Sequence, residues 1–178
     1  MRTTLHRITQ LGFCFAASGT LLCAQAPTLS LTAGAGWPTG AARNLVTNSA
    51  GFTLGAFADW EQHPGHGIRL ALDGVFYPNS GSTQATGSDR AQSQALTLNY
   101  VFAPSANLKG FHFVLGAGAM NIQRTTGNTL DETGVKLAWN AGCGVNFDER
   151  WGANARYFNL QSDGRNLGTV TTGLTYRF

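Results

Sequence analysis

Residues 134–147 read GVKLAWNAGCGVNF, and this stretch decides the fold. Every odd-numbered position from Val135 to Phe147 is apolar, whereas the even-numbered positions hold glycine, alanine, lysine and asparagine. Successive side chains of a β-strand point to opposite faces, so a period of two predicts a strand. One face of this strand is predicted to meet an apolar environment, and the other a crowded polar one.

The same alternation recurs along the chain and predicts eight strands separated by segments rich in turn residues. They span residues 29–37, 52–61, 68–76, 96–102, 111–119, 134–147, 151–157 and 169–178. After residue 27 no stretch has the 3.6-residue period of an amphipathic helix. The sequence therefore predicts an all-β domain.

Two all-β architectures would produce this alternation, a soluble β-sandwich and a membrane-spanning β-barrel. The composition favours the barrel, because only 12% of the residues are charged and the polar face mixes its charges with many of the 23 glycines. Aromatic residues gather near the strand ends, where the girdles of membrane barrels lie. Because a sheet in lipid must pair every backbone group, it has to close. We predict a closed, eight-stranded, antiparallel, up-and-down transmembrane β-barrel.

The N-terminus has the features of a secretory signal peptide. Arg2 and Arg7 precede an apolar stretch over residues 11–23, and the small residues Ala24 and Ala26 follow. We predict a signal peptide over residues 1–24, with cleavage after residue 26 as an alternative, and a barrel over residues 27–178. A lipid-modified Cys23 is a second alternative. A transmembrane helix is disfavoured, because about 13 apolar residues fall short of the roughly 20 that span a bilayer.

The connections between the predicted strands alternate in length. Segments 38–50 and 78–92 are long, whereas segments 63–67 and 148–150 are short. Bacterial barrels place short turns on the periplasmic side and longer loops outside. An even number of strands then puts both ends of the barrel on the periplasmic side.

Seven charged residues share the polar face and are predicted to point into the lumen. They are Asp59, Glu61, Arg69, Asp73, Lys136, Arg156 and Arg177. Buried charges require partners, so we predict an ion-pair network among them, with inward glycines making room for the long side chains. Two interpretations remain open: the network is structural packing, or its ion pairs switch and gate a narrow pore.

Few residues suggest catalysis or ligand chemistry. His63, His66 and His112 are predicted at the periplasmic end, and no His-x-Ser pair occurs. Once the signal peptide is removed, Cys143 is the one remaining cysteine, which excludes an intramolecular disulfide. Without Arg2 and Arg7, the 12 basic residues fall to 10 against 9 acidic ones. We predict no catalytic site, no cofactor, no metal site and no nucleic-acid partner.

The chain ends in TTGLTYRF, residues 171–178. With Thr171, Gly173, Tyr176 and Phe178 in place, this ending resembles the β-signal of outer-membrane barrels, which the barrel-assembly machinery reads. Together with the eight strands, it makes residues 27–178 similar to the small barrels of the OmpA/OmpX superfamily. We expect no peptidoglycan-binding domain after the barrel, in contrast to the larger members.

The resemblance implies a location in the outer membrane of a Gram-negative type bacterium, reached through the periplasm. It implies contact with membrane lipid and lipopolysaccharide, and a monomeric state. Members of the superfamily serve as structural proteins, surface-interaction proteins, narrow pores and, in a few cases, lipid-modifying enzymes. We expect a structural or surface-interaction role, with a narrow pore as the alternative and a porin-like or enzymatic activity left to test.

Overall fold

The computed structural model describes residues 26–46, 50–77, 90–105, 110–126 and 129–178. The predicted signal peptide, residues 1–24, lies outside this part of the chain. Nine strands and one short helix, α1 (Ala42–Leu45), make up the described secondary structure. The strands are β1 (Thr28–Gly40), β2 (Gly51–His63), β3 (His66–Tyr77), β4 (Arg90–Phe102), β5 (Gly110–Thr126), β6 (Thr129–Glu132), β7 (Lys136–Asn146), β8 (Trp151–Ser162) and β9 (Arg165–Arg177).

Eight of these strands close into an antiparallel barrel, as predicted. Each strand pairs with its neighbours along the chain, and β9 returns to pair with β1 over Ser30↔Arg177 to Gly40↔Leu167. The last residue is also tied down, because the backbone N–H of Phe178 donates to the carbonyl of Leu29 at 3.0 Å. Closure leaves no free sheet edge within the wall of the barrel, the condition that lipid imposes on a sheet.

β6 is the strand that the sequence pattern did not predict. Among the described strands, it pairs only with the last residues of β5, from Gln123↔Glu132 to Thr126↔Thr129. β5 therefore extends beyond the barrel wall and forms a hairpin there. β4 also begins earlier than predicted, at Arg90. The prediction missed this start because the polar residues Gln92 and Gln94 occupy outward positions and interrupt the apolar alternation, although the backbone ladder continues through them.

The two ends of the barrel differ in their connections. We call the end that holds both termini the terminal end; there, β2 turns into β3 through Pro64-Gly65, and Gly65 has a positive φ of 79°. The opposite end, the loop end, carries α1, the β5–β6 hairpin and a tight turn in which Asp163 and Gly164 both have positive φ. Two such residues match a type I′ hairpin turn.

At the terminal end, Asp148 organises the turn between β7 and β8. Its Oδ1 accepts hydrogen bonds from the backbone N–H groups of Arg150 and Trp151, each at 2.7 Å. These hydrogen bonds lower the pKa of the Asp148 carboxyl below its ordinary value, and the bond from Trp151 has the larger effect.

The predicted faces are confirmed. Most outward residues of the eight wall strands are apolar, and the large ones are exposed, including Leu31, Leu72, Leu98, Leu115 and Leu174. Aromatic pairs stand at the terminal end, where Tyr176 contacts both Trp151 and Phe178 edge-on at centroid distances of 5.0 and 5.2 Å. In water such a surface would aggregate, so the exterior of the barrel is suited to lipid. No helix in the described residues is long and apolar enough to span a bilayer.

The lumen has two parts, only one of which the sequence predicted. Near the loop end it is apolar: Met120, Ile122, Phe158 and Leu160 pack together, and Val46, just after α1, joins this cluster. Toward the terminal end it is polar and charged. The predicted polar lumen is therefore correct for one half and wrong for the other.

Candidate lumenal ion-pair network

Asp59 and Arg69 form the first ion pair of the polar lumen. They are direct partners on β2 and β3. Arg69 Nε donates to Asp59 Oδ1 at 2.7 Å and Arg69 Nη2 donates to Oδ2 at 3.2 Å, in the two-pronged geometry that a guanidinium favours. Both side chains are buried, so the pair is shielded from solvent.

Asp73 and Arg156 form the second pair, which crosses the barrel. Arg156 Nη2 donates to Asp73 Oδ1. In the strand order, three strands separate β3 from β8 in either direction, so the two residues start from opposite walls. The side chain of Arg156 is only 1% exposed and that of Asp73 only 5%. This contact therefore spans the diameter of the lumen.

Phe57 links the two pairs. Two guanidinium groups lie over its ring, with the Cζ of Arg69 at 4.7 Å and the Cζ of Arg156 at 4.6 Å from the ring centroid. Arg156 also lies 4.9 Å from the ring of Phe158, at the boundary with the apolar half. The negative faces of aromatic rings attract such cations. The two ion pairs and the ring of Phe57 thus fill the polar part of the lumen up to the apolar cluster.

Neutral polar residues complete this half of the lumen. Asn154 Nδ2 donates to the hydroxyls of Thr32 and Thr175 at 3.0 and 2.7 Å. Asn99 Nδ2 contacts the backbone oxygen of Arg69 at 3.2 Å, which ties β4 to the strand that carries the first ion pair. His112 is buried and faces Gly144 of β7. These interactions fix the walls around the two ion pairs.

Not all seven predicted network residues come together. Glu61 and Lys136 have the predicted inward parity, but both are exposed, because each stands at the end of its strand and beyond the closed lumen. Arg177 is half-buried at the terminal end, and among the described residues its Nε has no hydrogen-bond partner. The prediction was wrong for Glu61 and Lys136, since parity determines the face of a residue and not its depth.

Sequence reasoning missed Phe57, the residue at the centre of the network. It occupies an inward position of β2 between Gly55 and Asp59, where the alternation predicts a small or polar residue. A large aromatic residue on the polar face of a predicted strand was the available signal. Phe158 also points into the lumen, but it lies one residue beyond the predicted strand over residues 151–157.

Small residues opposite the long polar side chains create the space that the network occupies. Gly142 is the direct partner of Arg156 and Gly55 that of Asp73. A Cβ at Gly142 would lie 2.5 Å from Arg156 Cγ, and one at Gly55 would lie 2.7 Å from Asp73 Oδ1. The predicted role of the inward glycines as space for charged side chains agrees with these distances.

We expect Gly142→Ala to lower the free energy of unfolding by about 1–3 kcal/mol, the usual cost of overpacking. The added methyl group would push against Arg156 and the carbonyl of Ala155, itself only 2.5 Å away. Urea titration of refolded protein in detergent would measure the loss. Gly74→Ala is the matched control, because its Cβ would meet nothing nearer than 3.4 Å on the outward face. Equal losses for the two variants would contradict the packing described here.

The predicted assembly signal lies on the strand that closes the barrel. Thr171 and Gly173 have inward parity on β9, whereas Tyr176 and Phe178 point outward at the terminal end.

Among the described residues no cluster of three or more His, Cys, Asp or Glu side chains could hold a metal ion. His66 Nδ1 contacts the hydroxyl of Tyr100, at the terminal end.

A family model described as "Outer membrane protein beta-barrel domain" matches residues 11–178. The chain belongs to this family. Membership identifies it as a bacterial outer-membrane barrel and agrees with the predicted resemblance. No curated protein matches the sequence significantly.

Solved structures of other proteins share the fold. Ail of Yersinia pestis, solved with the heparin analogue sucrose octasulfate, is 19% identical, with a TM-score of 0.57 over 85% of this chain and 97% of Ail. The N-terminal barrel of Pseudomonas aeruginosa OprF is 14% identical, with a TM-score of 0.55 over 86% of this chain and 100% of that domain. Neisserial surface protein A is 15% identical, with a TM-score of 0.53 over 86% and 98%. At these identities the likeness supports the fold alone.

Proposed function

We propose that this protein is a non-conducting outer-membrane barrel with a structural or surface-interaction role. The Arg156–Asp73 pair carries the proposal, because it connects opposite walls across the lumen. Phe57 lies against the guanidinium of Arg156, and a cavity beside the pair, lined by Asp73, Ser93 and Thr171, measures about 10 Å³. Such a volume holds about one water molecule. A hydrated ion would have to separate the pair in order to pass.

The pore remains the second candidate, since ion pairs of this kind could switch partners. Asp59, Arg69, Asp73 and Arg156 carry two negative and two positive charges within one buried cluster. An opening would require Arg156 to leave the rings of Phe57 and Phe158. It would also require the apolar cluster near the loop end to separate. The combined cost favours a closed lumen.

Planar-bilayer recording on refolded full-length mature protein would test the proposal. We expect no steady discrete openings from the wild-type chain. If such openings occur and Arg156→Ala changes their amplitude, the non-conducting proposal fails. Arg156→Ala serves as the control, because it removes the side chain that crosses the lumen. A current through this lumen should then change in amplitude, whereas the current of a contaminating porin should not.

The orientation and partners form part of the same proposal. The terminal end would face the periplasm and the loop end the exterior, in keeping with the distribution of short turns and longer connections. The exposed apolar exterior favours membrane lipid and lipopolysaccharide as its surroundings, and a monomer as its state. Thr171, Gly173, Tyr176 and Phe178 would be read by the barrel-assembly machinery during export.

An enzymatic role has weaker support. His63 and His66 belong to the terminal end, which the proposed orientation turns away from the exterior. His66 is engaged with Tyr100 and Phe102, and His112 is enclosed in the lumen against Gly144. We therefore propose that the protein is not a lipid-modifying enzyme.

A further inference from the structure

Near the loop end, a row of directly paired outward residues crosses β2, β3, β4, β5 and β6. Its side chains are aromatic on β2 and β3 and are amides on β4 and β5. Phe52 of β2 is the partner of Phe76 on β3, Phe76 of Gln92 on β4, and Gln92 of Gln123 on β5. The row ends at Glu132 of β6, the partner of Gln123. We call these five residues the interfacial row. Elsewhere the outward positions of the same strands are mainly apolar.

The amides of the interfacial row are hydrogen-bonded to each other. Gln92 Nε2 donates to Gln123 Oε1 at 2.8 Å, and Gln123 Nε2 donates to Glu132 Oε2 at 3.2 Å. Each of these amide nitrogens carries two hydrogens and each oxygen two lone pairs, so both groups can bind a further partner. Ordered amides with spare capacity are suited to hydroxyl groups.

A groove of about 640 Å³ lies along this row. Its lining includes Phe52, Phe76, Arg90, Gln92, Gln123 and Thr125. Phe52 and Phe76 are 52% and 43% exposed, so their rings are available to a ligand. Arg90 lies two residues beyond Gln92 toward the loop end and is also exposed. The groove thus has an aromatic side, an amide side and a guanidinium at its outer end.

We propose that this groove binds the phosphorylated saccharide headgroup of a glycolipid of the lipid A class. Arg90 would hold a phosphate through its planar fork of N–H donors, and Gln92 and Gln123 would bind sugar hydroxyls. Phe52 and Phe76 would pack against the first carbons of the acyl chains. Glu132, which ends the row beside Gln123, would repel the phosphate and so favour its placement at Arg90.

Charge and position argue for this occupant rather than a protein. Six of the eight residues that line the groove lie on the outward face of wall strands, where lipid surrounds the barrel, and the buried residues Tyr77 and Ala91 form its floor at the rim. The groove lies where the apolar surface gives way to polar groups. An amphiphile with an acyl part and a phosphorylated sugar matches that order. The inference rests on the proposed orientation, in which the loop end meets the outer leaflet.

Native mass spectrometry of the refolded full-length mature chain, titrated with bisphosphorylated lipid A in detergent micelles, would test the site. We expect one lipid to be retained, and Arg90→Ala to weaken its affinity about tenfold, which corresponds to about 1.4 kcal/mol. Gln92→Leu, which keeps the shape and removes the amide, should weaken it by about threefold to tenfold. Arg90→Lys should fall between the wild type and Arg90→Ala.

Arg150→Ala is the matched control, because Arg150 is an exposed arginine at the terminal end. Its affinity should equal that of the wild type, and heat-modifiable gel migration would verify that each variant is folded. An equal loss for Arg150→Ala would overturn the proposal, and so would equal binding of dephosphorylated lipid A. Displacement of lipid A by an equal concentration of phosphatidylglycerol would also overturn it, in favour of a general anionic-lipid surface. Conductance by the wild-type barrel would refute the proposed function and leave this site standing.

Discussion

Asp73→Ala is expected to lower the free energy of unfolding by about 3–5 kcal/mol, the largest stability effect predicted for this barrel. The substitution would leave the guanidinium of Arg156 without its carboxylate in a site where its side chain is 1% exposed. A buried cation without a carboxylate partner has lost its hydration, and the contacts of Arg156 with the rings of Phe57 and Phe158 do not replace the lost ion pair. Urea unfolding in detergent, followed by tryptophan fluorescence and by heat-modifiable gel migration, would measure the loss.

Two further variants separate this cause from a general effect of mutation. Glu61→Gln removes an exposed charge of the same strand pair and should change stability by no more than about 0.5 kcal/mol. The double substitution Asp73→Leu with Arg156→Met removes both charges and should restore most of the lost stability, because an apolar pair of similar volume avoids the desolvation cost. If Asp73→Ala costs no more than Glu61→Gln, the pair across the lumen does not form as described.

The faces of the barrel were predictable because they depend on one local variable. A strand residue points inward or outward according to its parity, and lipid on one side with a packed lumen on the other makes parity visible in the sequence. Val135 to Phe147 show this most clearly, and Leu137 and Phe147 are indeed exposed on the outside. Strand number and closure then followed from counting such stretches and from the need to pair every backbone group.

Depth and pairing across the lumen were not predictable by the same means. Lys136 and Arg156 have the same parity, yet one is exposed at a strand end and the other crosses the lumen to Asp73. That difference depends on the stagger between strands, which alternation does not encode. The apolar half of the lumen was missed because its residues on β5 and β8, among them Ile122 and Phe158, lie beyond the ends of the predicted strands 111–119 and 151–157. Their inward parity becomes apparent only once β5 and β8 are known to continue toward the loop end.

Leu115→Arg is expected to lower the free energy of unfolding by about 2–4 kcal/mol, the cost of an arginine on the lipid face near the bilayer midplane. Leu115 is 62% exposed on the outside of β5. Its partner is Ala141, and this pair is at the centre of the β5–β7 ladder, which runs from Gly110↔Asn146 to Met120↔Lys136. An arginine there could reach water only by extending its side chain a long way or by thinning the bilayer around it.

The same substitution at another depth supplies the control for that cost. Leu137 is even more exposed, at 81%, but it pairs with Ala119 one position from the loop end of the ladder, so Leu137→Arg should cost only about 0–1 kcal/mol. Refolding into phospholipid vesicles with a urea titration would give both values. A soluble sheet exposed to water would tolerate both arginines equally, and equal small costs would therefore contradict a lipid-facing exterior. Equal large costs would mean that Leu137 also lies deep in the hydrocarbon, which would move the boundary of the apolar belt beyond the end of the β5–β7 ladder.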